Sequence, residues 1–254
     1  MSFGKLPLIG YTNHFETGTV TTDGTDEDNA FDWNTTDYWT SAATPTSYLR
    51  TNMGTPTAAD YVGVVGHTLF SQTGSIQVQY GPDGAAWTDA LSPTTVTPTD
   101  DGCIFLPFAS VSAQWWRILF SGLDAAITVA VASLGPRMQL ERGTQSGFTP
   151  PDFSRVDKVR NAMTEGGQFA GRSVARTGVA GSIDLRNISA AWMRATLDPF
   201  LIAQRTQGWF FAWDPDGHPD EVAYCWTKGT PQPTYAQPGF MNAKIDYNGR
   251  TDRA

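Results

Sequence analysis

Between residues 75 and 80 the chain alternates strictly: Ile76, Val78 and Tyr80 are apolar, while Ser75, Gln77 and Gln79 are polar. A strand turns successive side chains to opposite faces, so this two-residue period describes a β-strand with one covered face. Upstream, Tyr61, Val62, Val64 and Val65 crowd around Gly63 with no polar break, as in a strand covered on both faces. Gly81-Pro82-Asp83-Gly84 supplies a sharp reversal, and Trp87 follows it. Residues 59–87 therefore read as antiparallel β-structure.

The first 140 residues carry almost no helical period. An apolar patch (Leu6, Leu8, Ile9, Tyr11) predicts a docking strand, and segments 103–108, 115–120 and 127–131 predict further strands. In 115–120, Trp116, Ile118 and Phe120 form the inward face. Many short strands with Gly/Pro turns indicate a sandwich or jelly roll. Residues 146–168 contain paired prolines and no strong period, so they predict a linker between a first domain at 1–145 and a second at 169–254. In the second, 169–176 and 182–186 flank Thr177-Gly178-Val179-Ala180-Gly181 as an expected hairpin. Residues 189–207 predict the one helical region, with Ser189 as N-cap and Asp198-Pro199 ending one helix and starting another. A second hairpin, 209–213 with 221–227, surrounds residues 214–220, and a final strand covers 242–247. The expected fold class is mostly β: a jelly-roll sandwich followed by a β-barrel or sandwich with one helical segment.

The 254 residues suffice for two domains, and 40% hydrophobic with 17% charged residues fits a globular chain. No apolar run reaches the roughly 20 residues that span a bilayer, and residues 1–11 lack a signal-peptide pattern. Membrane insertion is not expected, and synthesis in a cytosol is. Cys103 and Cys225 match no metal or redox spacing and predict buried, reduced thiols. Residues 1–150 hold 14 acidic and 5 basic side chains, net −9, whereas 151–254 hold 11 and 12, net +1. That asymmetry supports two units and argues against nucleic-acid binding by the first.

Catalytic patterns are missing. His14, His67 and His218 are far apart, and the chain has no H-E-x-x-H, G-x-S-x-G, Walker or dinucleotide motif, so no enzyme is expected. His218 stands near Asp216, Asp220 and Glu221, but turn chemistry alone accounts for those residues. Asp23, Asp26 and Asp28 offer hard oxygens suited to a structural Ca²⁺; the reading preferred over it is a solvated acidic loop. Trp33, Tyr38, Trp39 and Trp87, with Asn34, Asp37 and His67, could form a carbohydrate-binding platform at one end of the sandwich; the competing reading has the aromatics sealing the core. Arg155, Lys158 and Arg160 form a small basic cluster, followed by Arg172, Arg176 and Arg186; ordinary surface charge and a subunit interface both fit them.

Two resemblances add to this reading. "ADYVGVVGHTL", "SIQVQYGPDGAAW" and "SAQWWRILFSG" resemble the galactose-binding-like (discoidin-type) β-sandwich over about residues 30–135. "GRSVARTGVAGSIDLRN", "GWFFAWDPDGHPDEVAYCW" and "AKIDYNG" resemble the small β domains with one helix of phage tail-tip proteins over about 165–250. In combination the chain resembles the distal tail (baseplate) proteins of siphophages. The resemblance implies a structural virion protein at the tail tip, made in the host cytoplasm and self-associating as a ring, most often of six copies. It implies contacts with the tail tube, the baseplate hub and a receptor-binding protein, with Arg172, Arg176 and Arg186 at a subunit interface. An accessory role in binding a host surface glycan goes with it, without specific nucleic-acid binding and with no cofactor beyond a structural Ca²⁺. The alternative is a free-standing carbohydrate-binding or adhesin module.

Overall fold

The computed structural model describes residues 6–42 and 45–253, apart from the side chains of residues 175–177. In chain order the first strands are β1 (Leu8–Gly10), β2 (Thr19–Thr22), β3 (Trp39–Thr40), β4 (Thr46–His67) and β5 (Ser75–Gly81). Then come β6 (Thr88–Asp89), β7 (Ile104–Ser121), β8 (Thr128–Gly135), β9 (Met138–Gln139) and β10 (Arg155–Met163). The last are β11 (Phe169–Ser189), β12 (Trp209–Ala212), β13 (Val222–Thr227), β14 (Thr234–Gln237) and β15 (Phe240–Arg250). They form two antiparallel sheets, so the mostly β expectation holds. Among the described residues no helix is long and apolar enough to cross a membrane.

The first sheet runs β3-β8-β4-β7-β5-β6, with β2 also on β4. Strands β4 and β7 are long and pair along most of their length, with register shifts at Asn52/Thr57 and Ala59/Tyr61. Such shifts bend the strands. The long pair therefore serves both layers of a sandwich, whose core includes Trp39, Leu49, Val62, Val64, Ile76, Val78, Trp116, Ile118 and Phe120. The uniformly apolar Tyr61–Val65 run does have two covered faces. Val62 and Val64 enter the sandwich core, while Tyr61 and Val65 point the other way into a separate cluster.

That second cluster joins the two sheets. It packs Tyr61, Val65, Phe105 and Val131 of the sandwich against Leu8, Phe210, Ala212, Val222 and Tyr224 of the second sheet. The second sheet runs β10-β11-β15-β13-β12-β1-β9, with β14 on β15. Its other face holds Ile9, Trp209, Phe211, Ala223 and Cys225 against Met193, Leu197, Phe200 and Leu201 of the helical segment. All four residues of β12 are consequently buried.

Several boundaries differ from the sequence reading. Leu8–Gly10 and Met138–Gln139 belong to the second sheet, since β1 pairs with both β12 and β9. The sandwich thus leaves from one strand of the second sheet and returns at its neighbour. Residues 155–163, expected within a linker, form β10. They lack a period because neither face is deeply covered. The expected turn at 177–181 is instead the middle of the continuous strand β11, and the reversal lies at 164–168, where the Gly167 N–H donates to the Thr164 carbonyl. Gly181 serves close approach rather than turning: a Cβ there would lie 2.5 Å from Cζ of the Tyr247 ring. Ser189 does cap the helix, its Oγ accepting from the Trp192 N–H at 3.2 Å. Pro199 does not split that helix. Met193–Leu197 form a wider turn in which the Asp198 N–H bonds to the Met193 carbonyl, and Asp198–Ala203 continue from it.

Candidate interaction surfaces

The five aromatic and histidine residues expected to form one platform occupy four places. Trp39 is fully buried in the sandwich core, and its Nε1–H donates to Thr22 Oγ1 at 3.0 Å. Trp33 sits at the junction of the two sheets with a left-handed backbone (φ 64°). Its carbonyl accepts from the Tyr224 hydroxyl at 2.7 Å, and its Nε1–H donates to Glu16 Oε1 at 2.6 Å. With Asp32, Asn34, Gln207 and Trp226 it lines an open crevice of about 480 Å³. Tyr38 and His67 line a different crevice, of about 320 Å³, with Asp101, Arg250 and Asp252. Trp87 lies elsewhere again, stacked on Arg117 with the guanidinium carbon 4.3 Å from the ring centroid. The core-sealing reading therefore holds for Trp39 and the single-platform reading for none.

The second crevice is polar, but its groups are used structurally. His67 is buried; its Nε2–H donates to the Gly102 carbonyl at 2.8 Å and Nδ1 accepts from the Leu69 N–H at 3.2 Å. Burial pushes its pKa below the usual histidine value, and the Gly102 bond and nearby Asp101 only partly oppose that. The Asp101 carboxylate accepts from the N–H groups of Phe70 and Ser71 and from the Ser71 hydroxyl. Asp252 accepts from the Gly66 N–H at 3.1 Å and from Arg250 Nε at 2.5 Å. His67, Asp101 and Asp252 here each hold a backbone N–H of a neighbouring segment.

The acidic run does not assemble a cation site. Asp23 is turned to β4, where Oδ1 accepts from Ser47 Oγ at 2.5 Å and the Tyr48 N–H at 3.2 Å. Asp26 precedes a short helical turn in left-handed geometry, and Asp28 lies inside that turn. Among the described residues no three His, Cys, Asp or Glu side chains gather around a common point. The same applies to the turn at His218, where the imidazole stacks on Trp213 and Glu221 Oε2 accepts from Trp213 Nε1 at 2.6 Å.

Beyond the body of the second sheet, β10 and the first half of β11 form a two-stranded ribbon. Val159 pairs with Val174 and Met163 with Phe169, and β10 alternates regularly, so these four residues share one face. Met163 is 65% exposed, Phe169 67% and Val174 56%. The opposite face carries Val156, Lys158 and Arg160. Among the described residues, five of the ten large exposed hydrophobics fall between Phe153 and Val174, so apolar exposure is concentrated here. Of the three arginines expected at an interface, Arg172 lies on the ribbon's apolar face, across from Asn161. Arg186 lies further along β11 in a 2.6 Å ion pair with Asp184. The side chain of Arg176 lies outside the described residues.

A further surface escaped the sequence reading. The odd-numbered residues of β7, Trp115, Arg117 and Leu119, face away from the sandwich core beside Tyr48, Arg50 and Asn52 of β4 and Gln77 and Gln79 of β5. The same period that places Trp116, Ile118 and Phe120 inside puts Trp115 and Arg117 outside.

The sequence matches no family model and no curated protein. Among solved structures it is similar to a pectin-binding carbohydrate-binding module (17% identity, 46% of this chain and 88% of that one, TM-score 0.38). It is similar also to chitosan-binding module 1 of a chitosanase/glucanase from Paenibacillus sp. IK-5 (20%, 48% and 97%, TM-score 0.41). A third is the CBM32 of AlyQ in complex with 4,5-unsaturated mannuronic acid (18%, 46% and 92%, TM-score 0.38). Each similarity spans about half of this chain.

Proposed function

We propose that this chain is a building and attachment protein of a phage tail tip. In this reading the second sheet and its ribbon join copies into a ring, and the sandwich presents a carbohydrate-recognition surface to the host. The ribbon carries the reading. An isolated pair of strands is marginally stable in water, yet this one exposes Met163, Phe169 and Val174 side by side. Such a face is completed by another chain. A second copy suits it, because Arg172 lies on that apolar face while residues 1–150 carry a net charge of −9. Basic ribbon against acidic sandwich is a contact between unlike surfaces, which generates a ring when the rotation closes. The six copies, and the partners in tail tube, hub and receptor-binding protein, follow from the family resemblance. Binding and building, with no turnover of substrate, complete the proposal.

Light scattering coupled to gel filtration tests it. The intact chain at tens of micromolar should form one discrete oligomer. The double variant Met163→Asp/Phe169→Asp should be monomeric and still unfold in one cooperative transition, since neither side chain belongs to a buried core. A wild-type chain that stays monomeric, alone and with tail components, would remove the assembly reading. A second reading, a free-standing carbohydrate-binding module, is favoured by the outward face around Arg50 and Trp115. A monomer that binds glycan would establish that one instead.

A further inference from the structure

On the outward face of the sandwich, Arg50 of β4 stands directly opposite Arg117 of β7. Like charges facing each other across an antiparallel pair are destabilising. The pair is unexpected in a region whose net charge is −9. Arg117 is partly accounted for. Its Nε–H donates to Gln79 Oε1 at 2.6 Å, Gln79 Nε2 donates to Asp89 Oδ1 at 2.7 Å, and Trp87 covers one side of the guanidinium. Burial first, and Arg50 next, lower the Arg117 pKa. Arg50 is held differently: its guanidinium carbon lies 5.4 Å from the Tyr48 ring centroid and 5.5 Å from that of Trp115. Its Nε is buried and has no hydrogen-bond partner among the described residues. The two cations are thus held by aromatic rings and, for Arg117, by Gln79, and among the described residues neither forms an ion pair with a carboxylate.

We propose that Arg50 and Arg117 form an anion subsite for a uronate residue of an acidic polysaccharide, whose carboxylate bridges the two guanidiniums while Tyr48, Trp87 and Trp115 contact the sugar ring. Guanidinium is suited to this because it presents paired N–H donors to a carboxylate and stacks on aromatic faces at the same time. Aromatic side chains supply the apolar area that a pyranose ring needs. The carboxylate removes the repulsion between the arginines, so the empty site is less favourable than the filled one. A sheet face sets no limit on chain length, which suits a polymer. This inference rests on the sandwich being the recognition part of the proposed function.

The test titrates the full chain with polygalacturonate and alginate, with fully methyl-esterified polygalacturonate as the neutral counterpart and single-stranded DNA as a polyanion that lacks uronate. Calorimetry and tryptophan fluorescence give the readout. Expected are binding to the uronates, at least tenfold weaker binding to the ester and to DNA, and a tenfold or greater loss in Arg50→Gln and in Arg117→Gln. Melting temperatures separate a ligand role from a structural one. Arg50→Gln relieves repulsion, so it should melt at or above the wild type while losing affinity. Equal affinity for DNA, or full affinity in Arg50→Gln, would overturn the proposal. Binding of the neutral ester with no preference for uronate would overturn the anion subsite but leave glycan recognition standing. No binding to any glycan would overturn both, and the ring reading would still be decided by the oligomer measurement.

Discussion

Gly63 permits the close contact between sandwich and second sheet, and replacing it by alanine should reveal how tightly they are joined. A Cβ at Gly63 would lie 2.7, 2.8 and 2.8 Å from three atoms of the Phe210 ring. Ordinary carbon–carbon contacts are about 3.5–4.0 Å, so the ring would have to retreat by roughly 1 Å. It has nowhere to go: Phe210 is fully buried and packs edge-to-face on Tyr224 with centroids 5.1 Å apart. Overpacking of this kind costs about 1–3 kcal/mol. Alanine returns about 0.4–1 kcal/mol by restricting the unfolded chain, so the net effect is a loss of about 1–2 kcal/mol. At ~2–4 °C per kcal/mol for a chain of this size, the melting temperature should fall by roughly 2–8 °C. Phe210→Leu should cost about 1–2 kcal/mol by itself. In the double variant the added methyl occupies space the ring has left, so the two losses should fall short of additivity by more than about 0.5 kcal/mol. Urea unfolding of the four proteins measures this. An alanine variant as stable as the wild type, or strictly additive losses, would refute a shared core at this position.

Acid should destabilise the fold through its buried imidazoles. His14 and His67 both have folded pKa values below the unfolded value near 6.5, mainly through burial. The unfolded chain therefore binds more protons, and stability is full above about 6.5 and lost as pH falls toward the folded values. Melting temperatures between pH 7.5 and 5 should drop with this profile, and His67→Gln should flatten it. The thiols of Cys103 and Cys225 are buried, and burial raises both pKa values well above the ordinary range. A thiol reagent should modify neither at pH 8 until urea unfolds the chain; rapid reaction of the native protein would contradict their burial.

What the sequence discloses here is what burial writes into it. Tyr61–Val65 announces its double coverage because both of its faces lie in cores, and Ser75–Gly81 announces its single coverage by alternation. The ribbon was illegible for the same reason: with solvent on both sides, Val156, Lys158, Val159 and Arg160 follow no rule that a core would impose. Three-residue β1 is too short for any period, so its partners could not be read from Leu8 and Ile9. Sites fare worse because they depend on register between distant segments. Trp33, Tyr38 and Trp87 look like neighbours on a loop end, yet Trp87 lies just before β6 and packs over Arg117 of β7, away from the crevices that Trp33 and Tyr38 line. Arg50 and Arg117 are 67 positions apart, and only the β4–β7 pairing brings them side by side.

The placement of β1 beside β9 has an evolutionary corollary. Leu8 faces Gln139 and Ile9 faces Met138 across an antiparallel pair, so entry to and exit from the intervening stretch are about 5 Å apart. A short reverse turn could bridge that gap and preserve the strand pairing within the second sheet. Recombination at two adjacent points could therefore trade one head for another, provided the newcomer shields Leu8, Phe210, Ala212, Val222 and Tyr224. A binding face carried by the sandwich can change in this way as a cassette, while the second sheet is inherited unaltered.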